Sequence, residues 1–298
     1  LPVVALTDRF DARLGIVSMA CALAVALAAT ASLQRRVRDL VRPDAALGTG
    51  ELVVIGAVQC AVALGSVVTF LGSHPLVYHE MELWGVACGL TTAVAALAFQ
   101  ESPSRRTATA CGFAAALTIL SRPSVGFGAV TCVGVLALTA LRRRLDRSTV
   151  VAIVAAALLP LAAYGATNVV RFGAPFSLPL DKQVFTTGDP SLGIAADAHR
   201  QATLAANGGS LFGARFAPTT LLQYARPDAV RIDGSFPWVN FPHWRAHVVG
   251  DVVFDTLDRS SSLPASMPAW TLLAGIGIVG LVLGRSPGLR REIGRAHV

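Results

Sequence analysis

The side chains that could do chemistry in this sequence gather in three short stretches. The densest is Ser73-His74-Pro75-Leu76-Val77-Tyr78-His79-Glu80-Met81-Glu82-Leu83-Trp84, with two histidines, two carboxylates, a tyrosine and a tryptophan at the mouth of an apolar run. Ionisable groups at the edge of a membrane handle protons or charged ligands more often than they merely fill space. Zinc-protease chemistry is excluded, because Leu83 stands where H-E-x-x-H requires its second histidine. Part of the cluster has an ordinary explanation: carboxylates suit the first turn of a helix, and Trp84 suits a membrane interface. Glu82 lies inside the apolar run and calls for a cavity or a partner. The candidate reactive groups are therefore His79, Glu80 and Glu82.

The second stretch is Ser121-Arg122-Pro123-Ser124, which interrupts an apolar region running from Thr107 to Leu141. A guanidinium there has the shape to hold a phosphate bidentately. It could equally snorkel from a helix end, or satisfy carbonyls freed by the proline. The third is Asn168-Val169-Val170-Arg171-Phe172-Gly173-Ala174-Pro175-Phe176, where Gly173 and Pro175 impose a turn and Arg171 is expected to have a partner or an anionic ligand.

Other groups carry less. Gly208-Gly209 lacks the G-K-[ST] ending of a phosphate loop and reads as a turn. Asp251, Asp255 and Asp258 would share one side of a helix and read as a solvated face, not a calcium loop. Leu211 to Tyr224 could lie flat on a membrane, and Phe236 to Trp244 is an aromatic, proline-rich interfacial stretch. The five cysteines (21, 60, 88, 111 and 132) all fall in apolar runs without metal-ligand spacing, so no metal site is assigned.

The elements that must position these residues follow from composition. The 298 residues are 53% hydrophobic and only 14% charged, with mean hydropathy +0.59. A soluble domain carries about 25% charged residues. Secreted disulfide scaffolds, disordered tails and nucleic-acid-binding modules are thereby excluded, and the expected class is an all-α polytopic bundle. A net charge of +7 and a pI near 9.8 follow from arginine at the cytoplasmic ends of helices and need no nucleic-acid partner. About 20 apolar residues cross a bilayer. Seven spans are expected: 14–33, 52–71, 81–99, 107–121, 125–141, 150–169 and 269–284.

With seven spans, four arginine groups fall on one side: Arg35, Arg36, Arg38 and Arg42; Arg105 and Arg106; Arg142, Arg143, Arg144 and Arg147; and Arg285, Arg290 and Arg291. That side is the cytoplasm, with 285–291 as a cytoplasmic end. The other side holds Ser73–Glu80, the Arg122 turn and a long extracytoplasmic loop region, 170–268. From Arg171 to Pro268 eight Arg or Lys balance eight Asp. The chain opens at Leu1 with no signal-peptide pattern, and is expected to be a fragment lacking an upstream part. Residues 292–298 (EIGRAHV) back-translate as GAGATCGGAAGAGCACACGTC, the start of a common sequencing-library adapter. They are expected to be non-native read-through, which a different codon series in the nucleotide record would refute.

Tyr78-His79-Glu80 ahead of a helix, the Leu120-Ser121-Arg122-Pro123 break and the Asn168-x-x-Arg171-Phe172-Gly173-x-Pro175-Phe176 exit together resemble bacterial GT-C glycosyltransferases, specifically the polytopic, mannosyltransferase-like members. The resemblance spans residues 14–180 loosely, and Arg171–Phe176 is its most specific piece. It implies a multi-pass plasma-membrane enzyme that takes a sugar from a polyprenyl-phosphate donor on the outer face. In that reading Glu80 or Glu82, beside His79, assists as general base. Arg122 or Arg171 holds the donor phosphate, membrane lipids surround the site, and the cofactor is unknown, a divalent metal being one option. One departure is plain: the family's usual catalytic acid lies in the first outer loop, and neither Asp8 nor Asp11 has that context. Two alternatives stay open. A transporter or flippase predicts inverted repeats and charged helix centres, neither of which the sequence has. A non-catalytic envelope-assembly protein predicts that the His79–Glu82 cluster and Arg122 are replaceable.

Overall fold

The computed structural model describes residues 13–42, 46–64, 68, 71–72, 77–176, 202–210, 213–226, 231–235, 239–240, 247–254 and 262–282. The chain divides into two units, Leu1–Ser177 with Gly284–Val298, and Leu178–Leu283.

The first unit is a helical bundle: α1 (Arg13–Val41), α2 (Thr49–Leu64), α3 (Val77–Glu101), α4 (Arg105–Ser121), α5 (Pro123–Arg142) and α6 (Arg147–Phe172). Four of these, over Leu14–Leu40, His79–Glu101, Pro123–Arg142 and Arg147–Phe172, are long and apolar enough to cross a membrane. Their outward faces carry Val17, Val135, Leu138, Leu158 and Leu159, and that of α4 carries Phe113 and Leu117, all exposed. Apolar surface on this scale suits lipid and not water. The described helices at α2 and α4, of 16 and 17 residues, are shorter than the four.

Local sequence explains where the helices begin and end. Ser104 and Thr107 form a reciprocal capping box ahead of α4. Asp146 caps α6 by accepting from the Thr149 N–H at 3.0 Å. Gly173, in the left-handed region at φ 76°, closes α6. Several helices extend beyond their apolar runs. α1 continues to Val41 through Gln34, Arg35, Arg36 and Arg38, which are good helix formers, and Pro43 follows. α3 begins at Val77, so His79 and Glu80, expected in the outer loop, lie on its first turn, while Glu82 is within the helix as expected. Past Pro75 nothing in the sequence resists helix formation, and Glu80 complements the N-terminal dipole.

Packing is set by small residues. α3 packs on α1 and α4, and α4 on α5 and α6. The largest buried cluster joins Phe99, Cys111, Ile119, Val133, Leu136, Ile153 and Tyr164. A Cβ on Gly112 would lie 2.8 Å from both Ala156 Cα and Cβ, so α4 and α6 meet nearly backbone to backbone. Ala156 is also the residue whose carbonyl loses its helical partner, because Pro160 carries no N–H. All five cysteines lie in helices; Cys88 and Cys111 are buried.

Contacts fix which helix ends lie together. Trp84 Nε1 donates to Ser18 Oγ at 2.9 Å, so α1 and α3 start at the same end. Arg36 pairs with Glu101, Arg38 with Glu51 at 3.0 Å, and Arg105 Nε donates to Ser148 Oγ at 2.9 Å at the other end. Three arginine groups of the sequence therefore collect at one end of the bundle. The group at Arg285, Arg290 and Arg291 lies outside the described residues, as do Ser73, His74, Asp8, Asp11 and the 292–298 tail.

The Asp146 cap gives a pH prediction. The Ser148 hydroxyl, the Thr149 hydroxyl and the Thr149 N–H hold its carboxyl down at about 2, from an ordinary 3.8. A depressed folded-state value means stabilisation that is complete above 3.8 and lost as pH falls through about 2. Asp146→Ala should therefore melt below wild type at neutral pH, and the gap should close on acidification towards pH 2. Thermal melts of both proteins across that range check this; a gap that is constant with pH would refute it.

In the second unit the described segments are short: a helical turn at 202–206, a 3-10 turn Ala214–Phe216, α7 (Ala217–Ala225), an antiparallel pair β1 (Arg231–Ile232) and β2 (Val239–Asn240), α8 (Leu263–Ser266) and α9 (Pro268–Val282). Side chains hold an extended segment in place. Asn207 Nδ2 donates to the Val253 carbonyl at 2.6 Å, and the Val253 N–H returns to Asn207 Oδ1 at 3.0 Å. Thr219 accepts from the Val249 N–H at 2.9 Å. Gly208 and Gly209 are a left-handed turn, at φ 65° and 82°. Asp251 sits in a bend and not on a helix, so the expected acidic helix face does not form there; Asp255 and Asp258 lie outside the described residues. Leu221 and Tyr224 on α7 are exposed and Thr219 is buried, while Leu211, Phe212 and most of the aromatic stretch after Phe236 are not described.

Candidate functional site

Glu82 and Arg122 meet. Arg122 is extended (φ −143°, ψ 99°) and forms both the C-cap of α4 and the N-cap of α5. Its N–H donates to the Thr118 carbonyl and its own carbonyl accepts from Gly126, each at 2.9 Å, so both helix ends are satisfied by backbone. The side chain is thereby left free of capping, and Nη2 donates to Glu82 Oε1 at 3.1 Å. Both side chains are part-exposed, at 35% and 39%.

Glycines on α3 make this approach possible. A Cβ on Gly85 would sit 2.7 Å from Arg122 Cβ, and one on Gly89 would sit 3.1 Å from Val125 Cγ1. Gly85 and Gly89 are a small-x-x-x-small pair, the spacing that lets membrane helices close up. One turn further, Thr92 Oγ1 lies 3.2 Å from Thr118 Oγ1, both fully buried. Each hydroxyl also bonds its own helix, at the Cys88 and Ala114 carbonyls. Glu82, Gly85, Gly89 and Thr92 thus form one face of α3, directed at the α4–α5 corner. Sequence reasoning missed Gly85, Gly89, Thr92 and Thr118. Their i, i+3, i+7, i+10 spacing on α3 was the available signal.

The other candidates are not drawn to this pair. Glu80, two residues before Glu82, turns to a different side of α3, half-buried and without an ionic partner among the described residues. His79 is half-buried on the first turn. Arg171 is exposed near the end of α6 and has no acidic partner among the described residues. Its motif folds for structural reasons. Asn168 Nδ2 donates to the Pro175 carbonyl at 3.0 Å, and the Phe176 ring lies tilted, 6.4 Å from that of Tyr164, which meets Phe127 edge-on at 5.6 Å. Asn168, Gly173, Pro175 and Phe176 thus tie the exit back onto α6 and leave Arg171 outside.

Chemically, the pair is a carboxylate holding a guanidinium in one orientation. A guanidinium has five N–H donors, and Glu82 uses one of them, so the others can address an anion. Among the described residues no three His, Cys, Asp or Glu side chains come together as a metal site. Comparison of the chain with protein-family models, with curated proteins and with solved structures gave no match. Composition, helix length and outward apolar faces define the class as an α-helical membrane protein.

Proposed function

We propose that the chain belongs to an integral glycosyltransferase of the GT-C type, seven-spanning and resident in the plasma membrane. It transfers a sugar from a polyprenyl-phosphate donor to an envelope acceptor on the outer face. The observation that carries this reading is the Glu82–Arg122 pair, brought together across 40 residues at the end of the bundle opposite the arginine groups. In this reading α2, α4 and α9 supply the three shorter spans, and residues 170–268 are the extracytoplasmic region. Arg122, oriented by Glu82, holds the donor phosphate and stabilises it as it leaves. Glu80, without an ionic partner among the described residues, assists as base at the mouth of α3 with His79 beside it. Arg171 is the second phosphate candidate, exposed at the same end.

The test is sugar transfer by the full-length gene product in membranes supplied with a radiolabelled polyprenyl-phosphate sugar. Glu80→Gln and Arg122→Ala should each lower transfer at least about tenfold. No transfer from any common donor by folded wild type would refute the enzyme. A second reading, a non-catalytic envelope-assembly protein, is favoured by one feature: Arg122 already has an acidic partner. It predicts that these variants keep whatever phenotype the wild type supports.

A further inference from the structure

Among the described residues, a concentration of unbalanced positive charge lies at the other end of the bundle. Arg105 and Arg106 open α4, Arg142 ends α5, Arg143 and Arg144 make the following turn, and Arg147 opens α6. All six are exposed. The Arg105 bond to Ser148 at 2.9 Å joins the two loops, so arginines some 40 positions apart in sequence share one surface.

The described carboxylates near this surface are already engaged. Glu101 pairs with Arg36 of α1, and Glu51 takes Arg38 at 3.0 Å and Arg42 at 2.9 Å. Asp146 is turned onto the start of α6 by Ser148 and Thr149. None of the six arginines makes an ion pair with a described residue.

The turn itself is built around an arginine where glycine is usual. Leu145 N–H reaches the Ala140 carbonyl at 3.4 Å, and Arg144 N–H the Leu141 carbonyl at 3.3 Å. That is the Schellman arrangement, in which the left-handed position favours glycine. Arg144 occupies it at φ 52° and is the one non-glycine residue with positive φ among those described. The strain sets a guanidinium outward at the tip of the turn.

We propose that this surface is a binding site for the phosphate headgroups of anionic phospholipids. Two features select that ligand over other anions. Arg142 ends and Arg147 opens helices long enough to cross a bilayer, with Arg143 and Arg144 in the turn between them, which is the depth of headgroup phosphates. Arg105 and Arg106 join that surface through the Arg105–Ser148 bond. They also flank outward apolar positions, Phe113 and Leu117 on α4 and Leu138 and Leu141 on α5, against which acyl chains can lie. Each guanidinium takes phosphate oxygens bidentately, and the set holds the α4–α5–α6 ends to one leaflet.

The test uses the full chain, purified in a nonionic detergent and titrated with phosphatidylglycerol, phosphatidylcholine or inorganic phosphate. Bound molecules are read by native mass spectrometry. Phosphatidylglycerol should be retained about tenfold over phosphatidylcholine, and the preference should fall away in R105Q/R106Q/R143Q/R144Q. Arg144→Gly should weaken the preference while melting no lower than wild type, because glycine relieves the turn; this separates lipid loss from misfolding. Equal retention of the two lipids, or an unchanged preference in the quadruple variant, would overturn the proposal. Inorganic phosphate binding as tightly as phosphatidylglycerol would overturn it too, in favour of a soluble phosphate ligand.

Discussion

Gly126→Ala is expected to destabilise the bundle by about 3 kcal/mol or more, a large loss for a single methyl group. The α4–α5 corner turns within one extended residue, Arg122, and this folds Gly126 back against Ile119. A Cβ on Gly126 would lie 2.1 Å from Ile119 Cα and 2.7 Å from its backbone nitrogen. Backbone cannot rotate away as a side-chain tip can, so the corner must open. Opening it moves Arg122 away from Glu82 and Val125 away from Gly89. Two controls sit on the same helix: Gly128 and Gly134 have nothing within 4 Å of an added Cβ. Gly128→Ala and Gly134→Ala should leave stability unchanged or raise it by up to about 1 kcal/mol, since alanine suits a helix interior better than glycine. Thermal melts in detergent of the three variants check the contrast. Equal behaviour at all three positions would show that the corner is not closed as described.

Separating Glu82 from Arg122 is the second large effect. Removing one partner of a fully buried ion pair costs about 3 to 5 kcal/mol, because the other charge is left uncompensated. These side chains keep 35% and 39% of their exposure, so water screens part of the loss and about 1 to 2 kcal/mol is expected for Glu82→Gln. Arg122→Gln should cost a similar amount. The double variant should cost clearly less than the two singles together, with a coupling of about 1 kcal/mol. Gly85 is part of the same unit, because Arg122 Cβ lies against it. Gly85→Leu should therefore weaken the coupling without touching either charge. Melting temperatures of the four proteins of the cycle measure it; strictly additive losses would mean the pair contributes nothing. If the proposed enzyme reading holds, Glu82→Gln should also lower sugar transfer, by releasing Arg122 from its fixed orientation.

Much of this protein is settled by composition and period alone. Low charge, long apolar runs and arginine at their ends require a helical membrane protein, because no soluble globule could cover that apolar surface. Pro123 after Arg122 required the break between α4 and α5, and Gly173 required the end of α6. Those are local facts, carried by one or two residues each, and they were legible. Helix ends were less so: α3 takes in His79 and Glu80 because polar residues can continue a helix past its apolar stretch. Which ionisable groups meet was not legible. Glu82, inside the apolar run, called for a partner, but sequence did not say which. Glu82 and not Glu80 faces Arg122, since two positions on a helix differ by more than half a turn. That choice depends on how closely α3 approaches the α4–α5 corner. The approach is set by missing side chains, Gly85 and Gly89, whose significance appears only when another helix lies against them. The merging of two arginine loops into one surface is of the same kind. Sequence put positive charge in each loop, and only the packing of α4 beside α6 put those charges side by side.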